Sequence, residues 1–419
     1  MKVLVVGGGG REHALVWKVS RSPLVSEVYC APGNGGISRI AACIPVKAMD
    51  IEGIVTFSKK NNIDLVVVSP DDPLAAGMVN ALQDAGIRAF GPVKEAAVIE
   101  SSKVFAKNLM KKYKIPTARH EVFNSPDKAI KYARKQKYPL VIKADGLAAG
   151  KGVIIAGTYD MALDAIHEIM EKKIFGESGS RIVIEEYLEG KEATVLAFTD
   201  GNTLVPMVSS QDHKKAYDYD LGPNTGGMGA FSPSRHYNER MAEICQDGIF
   251  LPTIHGMRNE GIKFKGVLYF GLMLTDDGPR VLEYNARFGD PEAQVVLPRL
   301  KNDIVEIFEA IIDERLDKTR IEWDDRAAAC IIAASDGYPG MYRTGFEISG
   351  IEEAEKEEDV MVFHAGTRHE NGKYYTAGGR VLGVTALGNT LETAINKAYN
   401  GIMEINFQGM HYRKDIGMR

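Results

Sequence analysis

Cysteine is scarce and scattered in this sequence. The chain of 419 residues contains four cysteines, and none of them forms a C-x-x-C pair. Neither a zinc knuckle nor a dithiol redox pair is therefore indicated. Isolated cysteines of this kind are typical of a reducing compartment, where they act as small apolar residues. They are Cys30, Cys43, Cys245 and Cys330.

Long apolar runs and an excess of positive charge are also missing. No stretch reaches the about 18 apolar residues that a transmembrane helix requires. The chain starts with Met1 and Lys2, and its first apolar run is too short for a signal peptide. A formal net charge of −5 excludes the basic surface that nucleic acids or anionic membranes attract. We therefore expect a cytoplasmic protein without nucleic-acid or membrane partners.

Length and composition favour several ordinary globular domains. A chain with 45% hydrophobic and 26% charged residues and this length fits about two to four domains. In the first hundred residues, buried apolar strands alternate with helical segments, which predicts a parallel α/β sheet. After residue 327 the pattern changes to strands, a glycine turn and a helix at 391–402. No internal repeat is evident.

The most informative stretch is the end of a predicted strand at residues 279–292. Glu283 and Asn285 are two residues apart, and because side chains alternate along a strand, both should point to one face. A carboxylate and an amide oxygen form a hard ligand pair, which suits Mg²⁺ bound to a polyphosphate. Arg287 continues the alternation if the strand persists, which would place a cation beside the metal. In isolation, the same pattern also fits a solvated strand end.

A glycine loop follows the first predicted strand. Gly9, Gly10 and Arg11 lie where a helix begins, and backbone N–H groups at such a position bind anions. The loop departs from the dinucleotide fingerprint, because Glu12 occupies the third glycine position and no acid ends the next strand. We therefore predict a phosphate site rather than a nicotinamide site. The alternative is that the glycines only permit close packing of strand and helix.

Two acids, Asp71 and Asp72, follow the buried strand at residues 64–69 in a polar turn. Ligands of open α/β sheets bind at the carboxyl ends of the strands. The two carboxylates are therefore candidates for binding ribose hydroxyls. Simple turn chemistry explains them almost equally well.

A second glycine-rich segment lies between two apolar strands at residues 139–155. It predicts a hairpin whose loop, with Gly150 and Gly152, covers phosphates with backbone N–H groups. The P-loop pattern is absent, and a strand rather than a helix follows. Such hairpins are often only turns, but Lys143 on the first strand argues for a phosphate partner because an unpaired buried charge is costly. Lys103, near the start of a predicted helix, would alone be interpreted as a surface lysine.

A third segment, residues 181–192, ends a strand in acids and then forms a loop. Such a segment can offer backbone groups to a purine edge and the carboxylate of Glu192 to ribose hydroxyls. By itself it is also an ordinary charged connection.

The stretch at residues 209–230 is long, polar and rich in glycine. Long loops in compact domains are usually functional or disordered. We interpret this one as a substrate loop.

Together these features resemble an ATP-grasp enzyme, and the whole chain is similar to the phosphoribosylamine–glycine ligase family, also called glycinamide ribonucleotide synthetases. Two features depart from the usual sequence pattern of these enzymes. The strand at 266–274 lacks an acid that many ATP-grasp enzymes use for a further metal, and Asp71 replaces a more usual glutamate. The most specific motifs are GGREHA (9–14), KADGLAAGKG (143–152), QDHK (211–214), GPNTGGMGA (222–230) and RFGDPE (287–292).

The resemblance implies an α/β and α+β multidomain chain with an ATP-grasp fold. An N-terminal Rossmann-like (pre-ATP-grasp) domain would span residues 1–102, and the ATP-grasp domain would span residues 103–325. Within the latter, residues of about 121–192 would form a mobile lid. A β-rich α+β domain would span residues 326–419.

The implied activity is the ATP-dependent ligation of glycine to 5-phosphoribosylamine. It yields glycinamide ribonucleotide, ADP and phosphate through glycyl phosphate, as the second step of purine biosynthesis. ATP is the co-substrate, with Mg²⁺ or Mn²⁺ as metal. The chain is expected to be a monomer with transient contacts to neighbouring purine-pathway enzymes. The alternatives are another ATP-grasp ribonucleotide carboxylase or ligase, and a nucleotide-binding protein without turnover.

The resemblance also implies four sets of site residues. The catalytic set is Arg287, Lys143, Asp212 and Lys214. The nucleotide set is Lys103, Lys143, Gly150, Gly152, Glu185, Glu186, Tyr187, Leu188 and Glu192. The substrate set is Gly9, Gly10, Arg11, Asp71, Asp72, Asn224, Gly226, Gly227, Arg287 and Asp290. The metal set is Glu283 and Asn285.

Overall fold

The computed structural model describes residues 1–148 and 152–418. The chain starts with a five-stranded parallel sheet of order β3-β2-β1-β4-β5. Strand β1 is buried on both faces, with Val3 and Val5 in one core and Leu4 and Val6 in another, as is typical of a parallel sheet covered by helices. The elements are β1 (Lys2–Gly7), α1 (Gly10–Val19), β2 (Glu27–Pro32), β3 (Ala42–Cys43), α2 (Ile51–Asn61), β4 (Leu65–Val68), α3 (Asp71–Ala76), α4 (Met78–Asp84), β5 (Arg88–Phe90) and α5 (Lys94–Ser101).

A second unit is a four-stranded antiparallel sheet of order β6-β9-β7-β8, with two helices packed on it. It has a small core of its own, which includes Ile142 and Ile184. The predicted hairpin is present, since β7 and β8 pair in antiparallel fashion. We call this unit the lid sheet. Its elements, with the helix that precedes it, are α6 (Lys103–Lys112), β6 (His120–Phe123), α7 (Pro126–Ala133), β7 (Leu140–Ala144), β8 (Val153–Ala156), α8 (Tyr159–Ile166) and β9 (Ile182–Glu186).

A third unit is the antiparallel sheet β11-β10-β16-β17, which we call the central sheet. Its strand β16 is buried along nearly its whole length, and β17 beside it is the predicted strand that ends in the metal pair. The elements are β10 (Lys191–Thr199), β11 (Leu204–Pro206), β12 (Gln211–Asp212), β13 (Lys215–Tyr217), β14 (Leu221–Asn224), β15 (Gly229–Ser232), α9 (Glu239–Cys245), α10 (Leu251–Asn259), β16 (Gly266–Thr275), β17 (Gly278–Asn285), α11 (Glu292–Val296) and α12 (Ile304–Ile312).

The C-terminal sheet, of order β12-β15-β18-β23-β20, includes two short strands that precede residue 326. The segment predicted as a substrate loop is thus built into this sheet at β12 and β15. Helix α14 packs on β18 and β23. The remaining elements are β18 (Ala327–Ser335), β19 (Glu347–Ile348), α13 (Ile351–Ala354), β20 (Val360–His364), β21 (Thr367–Glu370), β22 (Lys373–Thr376), β23 (Arg380–Gly388), α14 (Leu391–Glu404) and β24 (Met410–His411).

No helix among the described residues is both long and apolar enough to cross a bilayer. The predicted domain limits at residues 102 and 325 stay predictions.

The C-terminal tail at residues 412–419 carries three positive residues, which would be expected of an exposed surface end, but Arg413 departs from that expectation. Arg413 has no exposed surface. Its guanidinium lies 2.8 Å from Asp415 and 2.9 Å from Asp220. It also donates a hydrogen bond to the carbonyl of Lys215. The C-terminal tail therefore anchors the β13–β14 ribbon, which belongs to the polar stretch of residues 209–230.

We predict that Arg413→Ala destabilises the protein by about 3 kcal/mol, because the substitution leaves the Asp415 carboxylate buried without its partner. Equilibrium unfolding in urea measures the change. Lys414→Ala is the matched control, since Lys414 is exposed and its removal should cost less than about 0.5 kcal/mol. Equal stability of the two variants would contradict a structural role for the Arg413 ion pairs.

Candidate active site

Glu283 and Asn285 lie at the end of β17 and share one face. The intervening Tyr284 is buried in the core, whereas both polar side chains are half-buried. A β-bulge at Leu282 interrupts the pairing with β16, and the carbonyl of Leu282 accepts a hydrogen bond from Lys143 at 3.0 Å. A bulged residue leaves the ladder unpaired, which explains why this carbonyl is free to fix a lysine beside the pair.

Strand β17 ends at Asn285, so the condition under which Arg287 would continue its alternation is not met. Arg287 is held instead by the N-terminal unit, 3.0 Å from Glu100 and 3.8 Å from Asp71. Burial opposes its charge, but these carboxylates raise the pKa of Arg287 above its ordinary value. The arginine still lies close to the predicted metal pair, but the ion pair rather than strand periodicity places it there.

Glu100 is a site residue that sequence reasoning missed. It lies near the end of α5 and is 8% exposed. Besides Arg287, its carboxylate accepts a hydrogen bond from the backbone N–H of Ala286 at 2.7 Å. The amide nitrogen of Asn285 lies 2.9 Å from it when the amide is oriented by its hydrogen bonds. Glu100 therefore orients the Asn285 oxygen as a free acceptor.

The charge of Glu283 is maintained by lysines from three elements. Burial raises the pKa of its carboxyl, but Lys214, Lys143 and Lys103 together lower it below the ordinary value. The Nζ atom of Lys214 lies 3.7 Å from Glu283 and 3.2 Å from Glu192. An ionised carboxylate among several cations is a suitable setting for a metal ion and a polyphosphate.

The lid sheet contributes a buried cluster around Glu185. Its carboxylate lies 3.1 Å from both Lys143 and Lys107. The buried charge of Lys143 thus has a protein partner, although the sequence predicted a phosphate. Lys107, one turn after Lys103 on α6, was not recognised in the sequence because a lysine in an amphipathic helix resembles a surface residue. Lys103 donates to the carbonyl of Gly146 at 2.8 Å.

The remaining predicted nucleotide residues lie along the connection from β9 to β10. Glu186 is paired with Arg119 at 2.7 Å, and Tyr187 is exposed. Leu188 and Glu192 are half-buried. The side chain of Glu185 faces the two lysines, so only its backbone remains a candidate for nucleotide contacts. Gly152 lies just before β8, and the predicted Gly150 lies outside the described residues.

A second group of acids lies beside the metal pair. Burial raises the pKa of Asp212 to about 8, with Lys214 opposing and Glu292 adding to the shift. Glu292 is 3% exposed and accepts a hydrogen bond from the Tyr269 hydroxyl at 3.0 Å. Sequence reasoning noted that strand 266–274 has no acid; the structure shows that this strand offers Tyr269 to an acid from α11 instead.

The N-terminal glycine loop differs from its predicted form in one respect. The backbone N–H of Gly9 donates to the Glu12 carboxylate at 2.7 Å, which makes Glu12 part of a capping box for α1. This N–H is therefore engaged within the loop. Arg11 also pairs with Glu12 at 2.7 Å, and donates to the carbonyl of Phe288. The loop thus joins the motif at residues 287–292 through Arg11.

Gly10 allows this motif to approach the loop closely. A Cβ atom added at Gly10 would lie 2.6 Å from the side-chain nitrogen of Gln294 and 3.6 Å from Asp290. One added at Gly9 would lie 3.5 Å from Asp290. Asp290 in turn accepts a hydrogen bond from Gln294 at 2.7 Å. The predicted substrate residues of the N-terminal loop and of residues 287–292 therefore lie together.

Arg380, at the start of β23, is a third residue of the candidate site that the sequence did not reveal. It lies 2.8 Å from the carboxylate of Asp290 and donates to the backbone carbonyls of Gly226, Gly227 and Asp290. The C-terminal unit therefore fixes both the predicted substrate loop and Asp290. Sequence reasoning interpreted residues 378–380 only as a tight turn.

The two remaining predicted substrate residues are Asp72 and Asn224. Asp72 is exposed, and Asn224 pairs with Lys215 in the β13–β14 ribbon. Asp71 and Asp72 do not form a turn but begin helix α3. Asp71 lies 3.8 Å from Arg287 and therefore belongs to the site geometry.

The fold and this site define the class of the protein. A biotin carboxylase domain of a 2-oxoglutarate carboxylase from Hydrogenobacter thermophilus has the same fold, with a TM-score of 0.75 at 16% identity over 98% of this chain and 91% of that one. A phosphoribosylamine–glycine ligase from Thermotoga maritima matches over the full length of both chains, with a TM-score of 0.84 and 34% identity. The chain has an ATP-grasp fold.

The family follows from three matching family models. The N, ATP-grasp (A) and C domains of phosphoribosylglycinamide synthetase match residues 1–100, 101–293 and 328–419. Phosphoribosylamine–glycine ligases of Caldanaerobacter subterraneus and Clostridium acetobutylicum are each 49% identical over 99% or more of both chains. The chain belongs to the phosphoribosylglycinamide synthetase family, and it is an enzyme that acts as a phosphoribosylamine–glycine ligase.

We predict that Glu100→Gln lowers kcat by about tenfold or more while the fold persists, because a charge-assisted contact to Arg287 is lost and the Asn285 amide is released. Steady-state kinetics and thermal unfolding are the measurements. Glu95→Gln on the same helix is the control, since Glu95 is exposed and its carboxylate accepts a hydrogen bond from the side chain of Asn80. Equal kinetics of the two variants would contradict the orienting role of Glu100.

Proposed function

We propose that the enzyme activates glycine as glycyl phosphate with ATP and transfers the glycyl group to the amine of 5-phosphoribosylamine. The products are glycinamide ribonucleotide, ADP and phosphate. The observation that carries this proposal is the convergence of Glu283, Asn285 and Arg287 with Lys143 and Lys214 around the end of β17. A carboxylate is a poor acylating agent, and phosphorylation supplies it with a leaving group.

The donor set fits a divalent cation of the Mg²⁺ type. Glu283 and Asn285 supply one carboxylate and one amide oxygen, and within the described part of the chain no group of three or more His, Cys, Asp or Glu side chains forms a metal cage. This fits Mg²⁺, which is commonly held by one or two carboxylates together with substrate phosphates. When bound, the ion would neutralise phosphate charge. Mn²⁺, another oxygen-binding ion, is proposed as an alternative.

Positioning and charge neutralisation dominate the first step. Lys103 and Lys143 would contact the phosphates of ATP, and their charges already lower the pKa of Glu283. The connection after β9, including Glu186, Tyr187 and Leu188, would present its backbone to the purine. Glu192 would accept hydrogen bonds from ribose hydroxyls, in exchange for its present contact with Lys214.

Arg287 is proposed to stabilise the negative charge that develops at the reacting centre. It is 18% exposed in its side chain and fixed by Glu100, and a preorganised cation of this kind needs little rearrangement during the reaction. Asp212 and Lys214 lie next to Glu283. They are proposed to bind glycine and to take up the proton that the attacking amine releases. Exclusion of water by the lid sheet would protect glycyl phosphate from hydrolysis.

The N-terminal loop is proposed to bind 5-phosphoribosylamine. Asp290 and the loop of Gly9 and Gly10 lie together, and Arg380 holds Asp290 in place. Because the Gly9 N–H is engaged by Glu12, the phosphate would contact the start of helix α1 as a whole rather than that one N–H group. Asp71 would accept hydrogen bonds from the ribose.

The proposal also retains the sequence-based predictions of a cytoplasmic monomer that makes transient contacts with other purine-pathway enzymes. The full-length similarity to phosphoribosylamine–glycine ligases argues against the two rival functions, another ATP-grasp ribonucleotide ligase or carboxylase and a nucleotide-binding protein without turnover.

The deciding experiment is the release of phosphate from ATP, with glycine and 5-phosphoribosylamine both present or omitted singly. We expect full turnover only with both substrates, together with formation of glycinamide ribonucleotide detected by mass spectrometry. Turnover that requires bicarbonate in place of glycine would indicate a carboxylase, and nucleotide binding without phosphate release would indicate a binding protein.

We predict that Glu283→Gln and Asn285→Ala each lower kcat by about a hundredfold or more, because the loss of one metal ligand removes several kcal/mol of charge stabilisation. Binding of ATP without metal should persist in both variants. A Mg²⁺ titration of activity, with calorimetric titration of ATP in the presence of EDTA, tests both expectations. Near-parental activity of both variants across the titration would contradict the metal assignment.

A further inference from the structure

Lys107 carries a buried positive charge, and the proposed reaction assigns no role to it. Its side chain is 3% exposed. Its Nζ atom lies 3.1 Å from Glu185 and 2.7 Å from the hydroxyl of Thr117. These partners satisfy the ammonium and leave it facing the protein interior. Lys107 is therefore placed to act on Glu185 rather than on a substrate.

Glu185 is shared between two lysines. On the lid sheet, Val141 pairs with Glu185 and Lys143 pairs with Val183. Lys143 and Glu185 are therefore diagonal neighbours on one face of neighbouring strands. The carboxylate contacts Lys143 through one oxygen and Lys107 through the other, each at 3.1 Å. One carboxylate is thus shared by two ammonium groups, so the formal net charge of these three side chains is about +1 at neutral pH.

The cluster also joins three units of the fold. Lys107 belongs to α6, whereas Glu185 and Lys143 belong to the lid sheet. Lys143 reaches the central sheet through the carbonyl of Leu282 at 3.0 Å, and Thr117 reaches it through the carbonyl of Val281 at 2.6 Å. The position of the Lys143 ammonium is thus set from several sides, next to the end of β17.

We propose that Lys107 is a positioning residue. Because it binds one oxygen of the Glu185 carboxylate, it leaves the ammonium of Lys143 free to contact the phosphates of ATP. Without Lys107, Glu185 would pair with Lys143 alone, and the phosphates would have to compete with a buried ion pair. The inference rests on the proposed role of Lys143 in ATP binding.

The ionisation of the cluster agrees with this arrangement. Burial opposes the charge of Glu185, but Lys143 and Lys107 lower the pKa of its carboxyl below the ordinary value. Burial lowers the pKa of Lys107 to about 8, with Glu185 acting in the opposite direction. Lys107 therefore retains its proton at pH 7, and the carboxylate is ionised.

The test is calorimetric titration of the full-length enzyme with Mg²⁺ and a non-hydrolysable ATP analogue. Lys107→Met should weaken binding by about tenfold, the effect of losing roughly one charge-assisted contact. In steady-state assays, the KM for ATP should rise while the KM values for glycine and 5-phosphoribosylamine change little. Lys111→Met is the control, because Lys111 lies on the same helix and is exposed.

A double variant separates positioning from a general structural role. Glu185→Gln in the Lys107→Met background removes the competing carboxylate, so the proposal predicts that affinity returns to within about threefold of the parent. If the double variant binds as weakly as Lys107→Met, or more weakly, the proposal is wrong. Lys107→Met leaves Glu185 paired with Lys143, so this variant is expected to fold even if the double variant, in which Lys143 has lost its carboxylate partner, does not; an unchanged KM for ATP in Lys107→Met alone would then refute the proposal.

Lys143→Met tests the underlying assignment separately. Weaker binding in this variant supports the contact of Lys143 with ATP. Parental binding in Lys143→Met would show that the proposed role of Lys143 fails, whereas weak binding there with parental binding in Lys107→Met would refute the positioning role alone.

Discussion

The active site depends on one constraint, which is the cost of burying charge. Arg287, Glu100, Lys143 and Glu185 are all largely removed from water, and each would be strongly destabilising without a partner. The partners come from different units: Glu100 from the N-terminal unit meets Arg287 from the end of the central sheet. Pairing these charges therefore holds the units together at the candidate active site.

The same constraint links the C-terminal unit and the lid sheet to the site. Arg380 reaches from β23 to Asp290 and to the carbonyls of Gly226 and Gly227. Glu185 joins the lid lysine to Lys107 on α6. The cluster of Lys107, Lys143 and Glu185 contains two cations for one carboxylate, and that excess suits a polyphosphate ligand. The same buried charges thus hold the units of the fold together and provide positive charge for the phosphates of the substrate.

Backbone features refine this arrangement. The bulge at Leu282 frees a carbonyl for Lys143, and Gly10 lets Gln294 approach the first helix. Glu12, which departs from the dinucleotide fingerprint, caps the start of helix α1 because its carboxylate accepts a hydrogen bond from the backbone N–H of Gly9. Such features cost little energy, but they set the distances between groups that ion pairing alone would leave loose.

The sequence by itself determined the fold class and the central chemistry. Apolar periodicity predicted the parallel sheet and the hairpin at residues 139–155, and the period of two placed Glu283 and Asn285 on one face, because these patterns are local. Only the tertiary structure decided that Glu100, Lys107 and Arg380 belong to the site, that Arg287 leaves the strand, and that Arg413 is buried. Each of these residues pairs with a group that is distant in the sequence. The energy of a buried ion pair depends on that partner and on how far both charges are removed from water, and local sequence patterns contain neither.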